Sequence, residues 1–178
     1  MANVHRFCKW RAHSVPRTGH LRHARRSAFQ HRVRHIGVSN FNRALMKQAL
    51  ALSGQGLVTN QLEYHPYLDQ HPLVSATREA GLAITAYCGM AVGRVFSDPL
   101  LRAIARRHQR GVAQVVLRWL VQQEGVVALS RTTLLDRLTE NAAVFEFELT
   151  QNEMAAIATL VRPGSRIVNP PDLAPVWD

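Results

Sequence analysis

Cysteine and long apolar runs are both scarce in this chain of 178 residues. The two cysteines, Cys8 and Cys88, lie 80 positions apart, so they can form neither a disulfide framework nor a metal-binding knuckle. No segment approaches the ~18 consecutive apolar residues of a membrane-spanning helix. The first residues lack the apolar block of roughly 7–15 residues that signal peptides carry. These absences exclude an integral membrane protein and predict a reduced protein of the cytoplasm.

Acidic residues are missing from the first 35 positions. Those positions hold nine of the 22 Lys and Arg residues and six of the nine His residues, but none of the 12 acidic residues. The remainder therefore carries a net charge of only +1, although the whole chain carries +10. A composition break this sharp indicates a boundary. We expect a disordered basic leader over residues 1–31 and a folded domain over residues 32–178.

The leader admits three interpretations. A basic arm would bind nucleic acid through its phosphates, and an organelle transit peptide would be Arg-rich and acid-poor in the same way. We favour a disordered appendage, from a mis-assigned start or an out-of-frame stretch, because the few large apolar residues follow neither helical nor alternating spacing. The histidines lack the fixed short spacings of metal ligands, so we expect no metal site.

From residue 32 onward the chain alternates between short apolar strands and amphipathic helices. The predicted strands are Val33–Ser39, Leu57–Leu62, Leu82–Tyr87 and Val126–Leu129. The predicted helices are Arg43–Leu52, Pro72–Ala80, Pro99–Arg107, Val112–Gln123, Leu134–Ala143 and Gln151–Leu160. Four strand–helix units in series, with apolar strands that do not alternate, predict an α/β fold with a parallel sheet covered by helices.

Local signals refine this prediction. Asn40 is predicted to cap the first helix, and Thr150 and Glu153 are predicted to form a capping box. An apolar stripe at helical spacing runs along the fourth helix, and its members are Val112, Val115, Val116, Trp119 and Leu120. The tail over residues 162–178 has no helix or strand signal and should wrap a surface.

Polar or aromatic residues stand at the carboxyl end of every predicted strand. In chain order they are Ser39-Asn40, Asn60-Gln61 with Glu63, Tyr87, and Ser130-Arg131-Thr132. Ligand sites of parallel α/β folds lie at the carboxyl ends of the strands. Any one of these residues alone would be an ordinary turn or cap, but four successive strand ends of this kind predict a binding site.

The same segments resemble the signatures of the aldo-keto reductases. The matching segments are Ile36–Phe41 (IGVSNF), Asn60–Tyr67 (NQLEYHPY), Thr85–Tyr87 (TAY), Ser130–Thr132 (SRT), Val144–Thr150 (VFEFELT) and Pro170–Asp178. The last of these is similar to bacterial members related to diketogluconate reductases. The resemblance spans residues 32–178 and implies about the last four β/α units of a TIM (β/α)8 barrel, a fold that needs about 250 residues for all eight.

The resemblance implies that one group of residues holds the nicotinamide of NADPH. The Ser39 hydroxyl and the amides of Asn40 and Gln61 are donors and acceptors suited to its carboxamide. The Tyr87 ring offers a face on which the pyridine can stack. The hydride chemistry itself belongs to the cofactor.

A second group is implied to hold the adenosine end of the same cofactor. Arg131 and Arg137 supply guanidinium forks for the 2′-phosphate, which favours NADPH over NADH. Thr132 and the amino end of the following helix add donors to that phosphate. Glu140 and Asn141 would read the adenine edge. An alternative for Arg137 and Glu140 is a solvated pair of charges three positions apart on a helix.

The chain also departs from the family pattern. Cys88-Gly89-Met90 stands where serine and proline commonly follow the stacking tyrosine, and Arg131 stands where lysine is common. Nothing matches the motifs of the catalytic tyrosine, lysine, aspartate and histidine, which sit in the first half of the family's barrel. We therefore assign no catalytic residue.

The resemblance identifies the chain as the C-terminal half of an NADPH-dependent reductase of aldehydes or ketones. Two alternatives stay open: an inactive pseudoenzyme that persists as an interaction fragment, and a nucleic-acid-binding protein that acts through the leader. A small carbonyl compound is the expected partner of the complete enzyme. Because four strands cut from a barrel leave two open edges, we also expect self-association.

Overall fold

The computed structural model describes residues 35–53, 56–172 and 174–177. Four of its strands form one parallel sheet in which each strand pairs with the next along the chain. The strands are β1 (Ile36–Ser39), β2 (Leu57–Glu63), β3 (Ala83–Tyr87) and β4 (Val126–Ala128). The predicted α/β fold with a parallel sheet is thereby confirmed, while the predicted leader lies outside the described residues.

Helices connect each strand to the next, as a parallel sheet requires, and two further helices follow β4. They are α1 (Arg43–Leu52), α2 (His71–Glu79), α3 (Pro99–Arg107), α4 (Val112–Val121), α5 (Leu135–Ala142) and α6 (Gln151–Ala158). All six were predicted within about three residues at each end. The 3-10 segments Ala91–Ser97 and Ala143–Phe145 were not predicted.

The helix caps agree with the prediction in one case and correct it in another. Asn42, not Asn40, caps α1, since its Oδ1 accepts from the Leu45 amide at 2.8 Å. Asn40 has φ of 56°, a left-handed conformation in which it cannot act as an N-cap. Thr150 and Glu153 form the predicted reciprocal pair at the start of α6.

The main core lies between the sheet and the helices. Leu62, Ile84 and Ala86 project from one face of the sheet and are fully buried. The predicted stripe of α4 belongs to the same cluster, with Val115 and Leu120 fully buried. Burying such side chains stabilises the fold by about 1.5–3 kcal/mol each. This core holds the strand ends in fixed positions.

The opposite face of the sheet is open, and we call it the open face. Direct pairing places Gln61, Thr85 and Val127 side by side on it. The Thr59 and Thr85 hydroxyls are hydrogen-bonded at 2.8 Å. Val127 is 52% exposed and Leu129, just beyond β4, is 47% exposed. Among the described residues, β1 and β4 each pair on one side only.

Two open edges and an uncovered apolar face predict the behaviour of the isolated chain. Such surfaces are templates for association, and a net charge of +1 from residue 36 onward provides little repulsion. We expect the chain alone to be a homodimer, a larger aggregate or a marginally folded species. Light scattering and thermal unfolding would contradict this if they gave a monodisperse species of 20.0 kDa with a sharp cooperative transition.

Candidate functional site

The carboxyl ends of β1, β2 and β3 bring together the four residues of the first predicted group. The Ser39 hydroxyl donates to the Gln61 carbonyl oxygen at 3.2 Å, and the Asn40 amide donates to the same oxygen at 2.9 Å. The Tyr87 hydroxyl donates to Asn40 Oδ1 at 2.9 Å. Residues on three neighbouring strands are therefore joined in one hydrogen-bonded group.

Two backbone features of β1 make this group possible. A Cβ atom at Gly37 would lie 2.5 Å from the Thr59 side chain and 2.9 Å from its carbonyl oxygen, so only glycine allows β1 to approach β2 here. The left-handed conformation of Asn40 then ends the strand. Asparagine tolerates this conformation better than most residues. The chain can thereby direct the Asn40 side chain toward Tyr87, which lies two strands away.

The Gln61 side chain is half-buried on the open face. Its backbone oxygen accepts from Ser39 and Asn40, but no described residue hydrogen-bonds to its side-chain carboxamide. A carboxamide holds one acceptor and two donor hydrogens. This group can therefore bind a ligand that presents both a donor and an acceptor.

Tyr87 is held in its neutral form. Burial raises the pKa of its hydroxyl, and the charge of nearby Glu63 raises it further, outweighing the hydrogen bond with Asn40. The neutral hydroxyl remains a donor to Asn40, which fixes the plane of the ring. A ring fixed in this way presents a constant face to a flat ligand.

Beside Tyr87 on the neighbouring strand lies the buried carboxylate of Glu63, which the sequence analysis placed among the strand-end residues without a specific role. Glu63 is fully buried at the end of β2 and accepts from His65 Nε2 at 3.1 Å and from the Ile167 and Val168 amides at 2.6 and 2.8 Å. Burial raises its pKa, but these hydrogen bonds outweigh burial and leave the pKa below its ordinary value. His65 Nδ1 accepts from the Tyr67 amide at 3.3 Å, which places the histidine proton on Nε2.

The tail lies across the strand ends, as predicted for a segment without helix or strand signals. The Asn42 side chain donates to the Val176 carbonyl oxygen at 2.7 Å and so ties the tail to the start of α1. The Arg166 guanidinium carbon lies 3.5 Å from the centre of the Trp177 ring. Arg166 also donates to Gln70 Oε1 at 3.4 Å. The tail thereby forms one wall beside Tyr87 and Glu63.

The second predicted group follows β4 and continues along α5. Thr132 Oγ1 accepts from the Leu134 amide at 3.1 Å and so shapes the turn into α5. Asn141 Nδ2 donates to the Ser130 hydroxyl at 3.0 Å, which ties the end of α5 back to the same turn. α5 begins without a side-chain cap. Its first amides therefore lack a side-chain acceptor from the cap residue.

The three charged residues of the second group are exposed to solvent. They are Arg131, Arg137 and Glu140. Arg137 and Glu140 are both exposed, so the alternative of a solvated pair of charges on this helix stays open beside the cofactor role. Arg137 and Glu140 lie on α5, next to the turn that carries Arg131. The first predicted group thus lies at the ends of β1, β2 and β3, and the second follows β4.

The described residues offer neither a metal centre nor a membrane-spanning helix. They contain no group of three or more His, Cys, Asp or Glu side chains arranged to hold a metal ion. None of the helices in residues 35–53, 56–172 and 174–177 combines the length and apolar character needed to cross a membrane.

Comparison with known proteins gives a consistent result. Residues 30–162 match the model of the Aldo/keto reductase family. The chain is 38% identical over 146 residues to Methylglyoxal reductase DkgB of Yersinia pestis, covering 82% of this chain and 54% of that protein. It is 34% identical over 142 residues to Glyoxal reductase of Bacillus subtilis (strain 168), covering 80% and 51%.

Solved structures show the same similarity. A protein named as a 2,5-diketo-D-gluconic acid reductase B is 54% identical, with a TM-score of 0.80 over 82% of this chain and 52% of that one. A mutant of Gox0644 solved in complex with NADPH is 34% identical, with a TM-score of 0.75 over 80% and 52%. The chain therefore spans about half the length of these relatives.

Proposed function

The chain belongs to the aldo/keto reductase family, and from this premise we propose that it is the NADPH-binding part of a reductase of aldehydes or ketones. Residues 32–178 would form the C-terminal four β/α units of the family's barrel. The observation that carries the proposal is the hydrogen-bonded group of Ser39, Asn40, Gln61 and Tyr87 at the strand ends.

The residues of this group fit a nicotinamide. Tyr87 occupies Asn40 Oδ1, so Asn40 Nδ2 remains as a donor, and the Gln61 carboxamide supplies both a donor and an acceptor. These match the needs of a ligand carboxamide. The Tyr87 ring, fixed by its hydrogen bond, would support the flat face of the pyridine.

The exposed residues after β4 fit the other end of the cofactor. Arg131 and Arg137 would bind the 2′-phosphate, and Thr132 with the first amides of α5 would add neutral donors. Glu140 and Asn141 would contact the adenine. The exposure of the two arginines supports this assignment, because a charged ligand can reach them without unfolding the helix.

The positions of these residues indicate which part of the reaction each group would perform. When bound, the nicotinamide supplies the hydride that reduces a carbonyl carbon. Ser39, Asn40, Gln61 and Tyr87 would orient it. The Tyr87 hydroxyl already donates to Asn40, and His65 is buried against Glu63, so we assign neither as the proton donor. The acid that protonates the carbonyl oxygen would come from the other half of the family's fold.

Small carbonyl compounds are the proposed substrates. The relatives described above are named for methylglyoxal, glyoxal and a diketogluconic acid, all of which carry aldehyde or ketone groups. We place the activity in the cytoplasm, as expected from the sequence. A pseudoenzyme would share the cofactor-binding residues, so binding and turnover must be measured separately.

Cofactor choice provides the test of this proposal. If Arg131 and Arg137 bind the 2′-phosphate, the chain should bind NADPH in preference to NADH. Each charge-assisted hydrogen bond contributes about 1.5–3 kcal/mol, so Arg131→Ala should weaken NADPH binding by roughly 10- to 150-fold and leave NADH binding nearly unchanged. NADPH fluorescence titration measures both affinities.

A matched control is available on another helix. Arg102 is exposed on α3, far along the chain from the predicted group, and Arg102→Ala removes the same charge. This control should bind NADPH as the wild type does. Equal affinity of the wild type for NADH and NADPH would show that Arg131 and Arg137 do not face the phosphate.

A further inference from the structure

We propose that Arg166 determines which oxidation state of the cofactor the site prefers. Its positive charge offsets the negative charge of Glu63, so that the cationic ring of NADP+ gains no advantage over the neutral ring of NADPH. This inference rests on the proposed function, because it concerns the same nicotinamide site. It goes further by giving a role to a guanidinium whose hydrogen bonds do not account for its place in the fold.

The Glu63 carboxylate lies on the same side of the sheet as the residues that would hold the nicotinamide. Side chains alternate along a strand, so Glu63 projects from the same face as Gln61, two positions earlier on β2. Glu63 also pairs directly with Tyr87 in the register of β2 and β3. Its side chain is fully buried, so water and salt screen its charge only weakly. A cationic ring stacked on Tyr87 would therefore be attracted by this carboxylate.

Arg166 brings the opposite charge to the same place. It directly precedes Ile167, whose amide donates to Glu63 Oε1 at 2.6 Å. Arg166 Nη2 donates to Gln70 Oε1 at 3.4 Å, and Gln70 Nε2 donates to the Glu63 carbonyl oxygen at 2.6 Å. The Trp177 ring covers one face of the guanidinium, with its centre 3.5 Å from the guanidinium carbon. The positive charge is thus held between the tail and the end of β2.

Both charges act on the ring that would support the pyridine. Burial raises the pKa of the Tyr87 hydroxyl, the charge of Glu63 raises it further, and the charge of Arg166 lowers it. Burial lowers the pKa of Arg166 itself, and the charge of Glu63 opposes that shift. Glu63 and Arg166 therefore influence Tyr87 in opposite directions. They would influence a charge stacked on Tyr87 in opposite directions as well.

Hydrogen bonding alone does not explain why a guanidinium occupies this place. Arg166 Nη1 is buried and has no hydrogen-bond acceptor within the described ranges of the chain. A buried donor without an acceptor destabilises a fold, and each such group calls for an explanation. An apolar side chain would pack against Trp177 without that cost. The property that only a basic residue supplies here is its charge.

The two oxidation states of the cofactor differ by one unit of charge in the nicotinamide ring. The ring of NADP+ is cationic and that of NADPH is neutral, while both carry the same 2′-phosphate. A buried carboxylate without a counter-ion would favour NADP+ and slow its release after the carbonyl compound is reduced. With Arg166 in place, the charges of Arg166 and Glu63 sum to zero. NADPH can then compete with NADP+ for the site.

The experiment measures the dissociation constants of NADP+ and NADPH with the full chain. Arg166→Gln removes the charge and should strengthen NADP+ binding relative to NADPH binding by about 5- to 15-fold, the effect of a unit charge roughly 10–17 Å away at an effective dielectric constant of about 20. Arg166→Lys keeps the charge and should keep most of the wild-type ratio. NADPH is followed by its fluorescence, and NADP+ by its displacement of NADPH. An unchanged ratio in Arg166→Gln, or an equal shift in both variants, would overturn the proposal.

Glu63→Gln provides an independent arm of the same experiment. It removes the negative charge and should shift the ratio in the opposite direction, toward NADPH. This arm decides the question if Arg166→Gln does not fold, as judged by circular dichroism, because a shift toward NADP+ or no shift would contradict the proposal. Arg162→Gln is the matched control. It removes an exposed charge from the same tail and should leave the ratio unchanged, because solvent screens that charge.

The outcomes separate this inference from the proposed function. Arg131→Ala should weaken the binding of NADPH and NADP+ equally, because both carry the 2′-phosphate. If the wild type binds neither dinucleotide, the proposed function fails and this inference fails with it. If the wild type binds both, and neither Arg166→Gln nor Glu63→Gln changes the ratio, the proposed function stands and only this inference fails.

Discussion

Purified alone, the chain should reduce a generic aldehyde such as nitrobenzaldehyde no faster than background when NADPH is supplied. The expected deficit is large because general acid catalysis contributes roughly 10²–10⁴-fold and we assign no proton donor among the described residues. Poor positioning of the substrate at the open face of the sheet would add to the loss. Loss of NADPH absorbance, compared with a sample that lacks protein, measures the rate.

A complete relative serves as the positive control for this assay. Robust turnover by the purified chain would contradict the expectation and would require a catalytic group that we have not assigned. Tyr87 would then be the first residue to test. Tyr87→Phe removes its hydroxyl and leaves the ring, so an unchanged rate would exclude it as the proton donor.

Replacement of Glu63 should cause the largest loss of stability in the described part of the chain. In Glu63→Ala, His65 Nε2 and the Ile167 and Val168 amides lose their acceptor inside the protein. Each buried donor left without a partner costs about 1–3 kcal/mol. Urea unfolding at low protein concentration measures the free energy of unfolding. Glu140→Ala, at an exposed position on α5, is the control and should change it by less than about 0.5 kcal/mol.

The charge of Glu63 also makes a pH-dependent contribution. Its pKa is lowered in the folded state, so the stabilisation is present above the ordinary carboxylate pKa and is lost as the pH falls below it. Glu63→Gln keeps one acceptor but cannot titrate. We expect this variant to be less stable than the wild type near neutral pH, by less than Glu63→Ala, and to lose less stability on acidification. If Glu63→Gln and the wild type lost the same stability on acidification, Glu63 would already be protonated in the folded state.

Local patterns were sufficient to predict most of the fold. The stripe of α4 and the capping box of α6 depend on residues within a few positions of each other, and both are present in the structure. The prediction that Asn40 caps α1 was wrong because two asparagines, Asn40 and Asn42, stand near the same helix start. Either side chain can cap, and the backbone conformation that decides between them is not visible in the sequence.

Contacts between distant segments were beyond the reach of sequence reasoning. The tail was expected to wrap a surface, but its donation of the Ile167 and Val168 amides to Glu63 joins positions more than 100 residues apart. No periodicity encodes such a pair. The strand-end rule did identify residues that the structure brings together, namely Ser39, Asn40, Gln61 and Tyr87. Their role toward a cofactor stays a prediction.

The long separation between Glu63 and the tail also imposes an order of events during synthesis. Glu63 leaves the ribosome 104 residues before Ile167. At translation rates of about 5–20 residues per second, roughly 5–20 s pass between them. During that interval the carboxylate lacks two of its three donors, so the end of β2 cannot bury it at low cost. The end of β2 at Glu63 would therefore stay exposed to water until residues 167 and 168 have been synthesised. A ribosome that paused before them would prolong this exposed state.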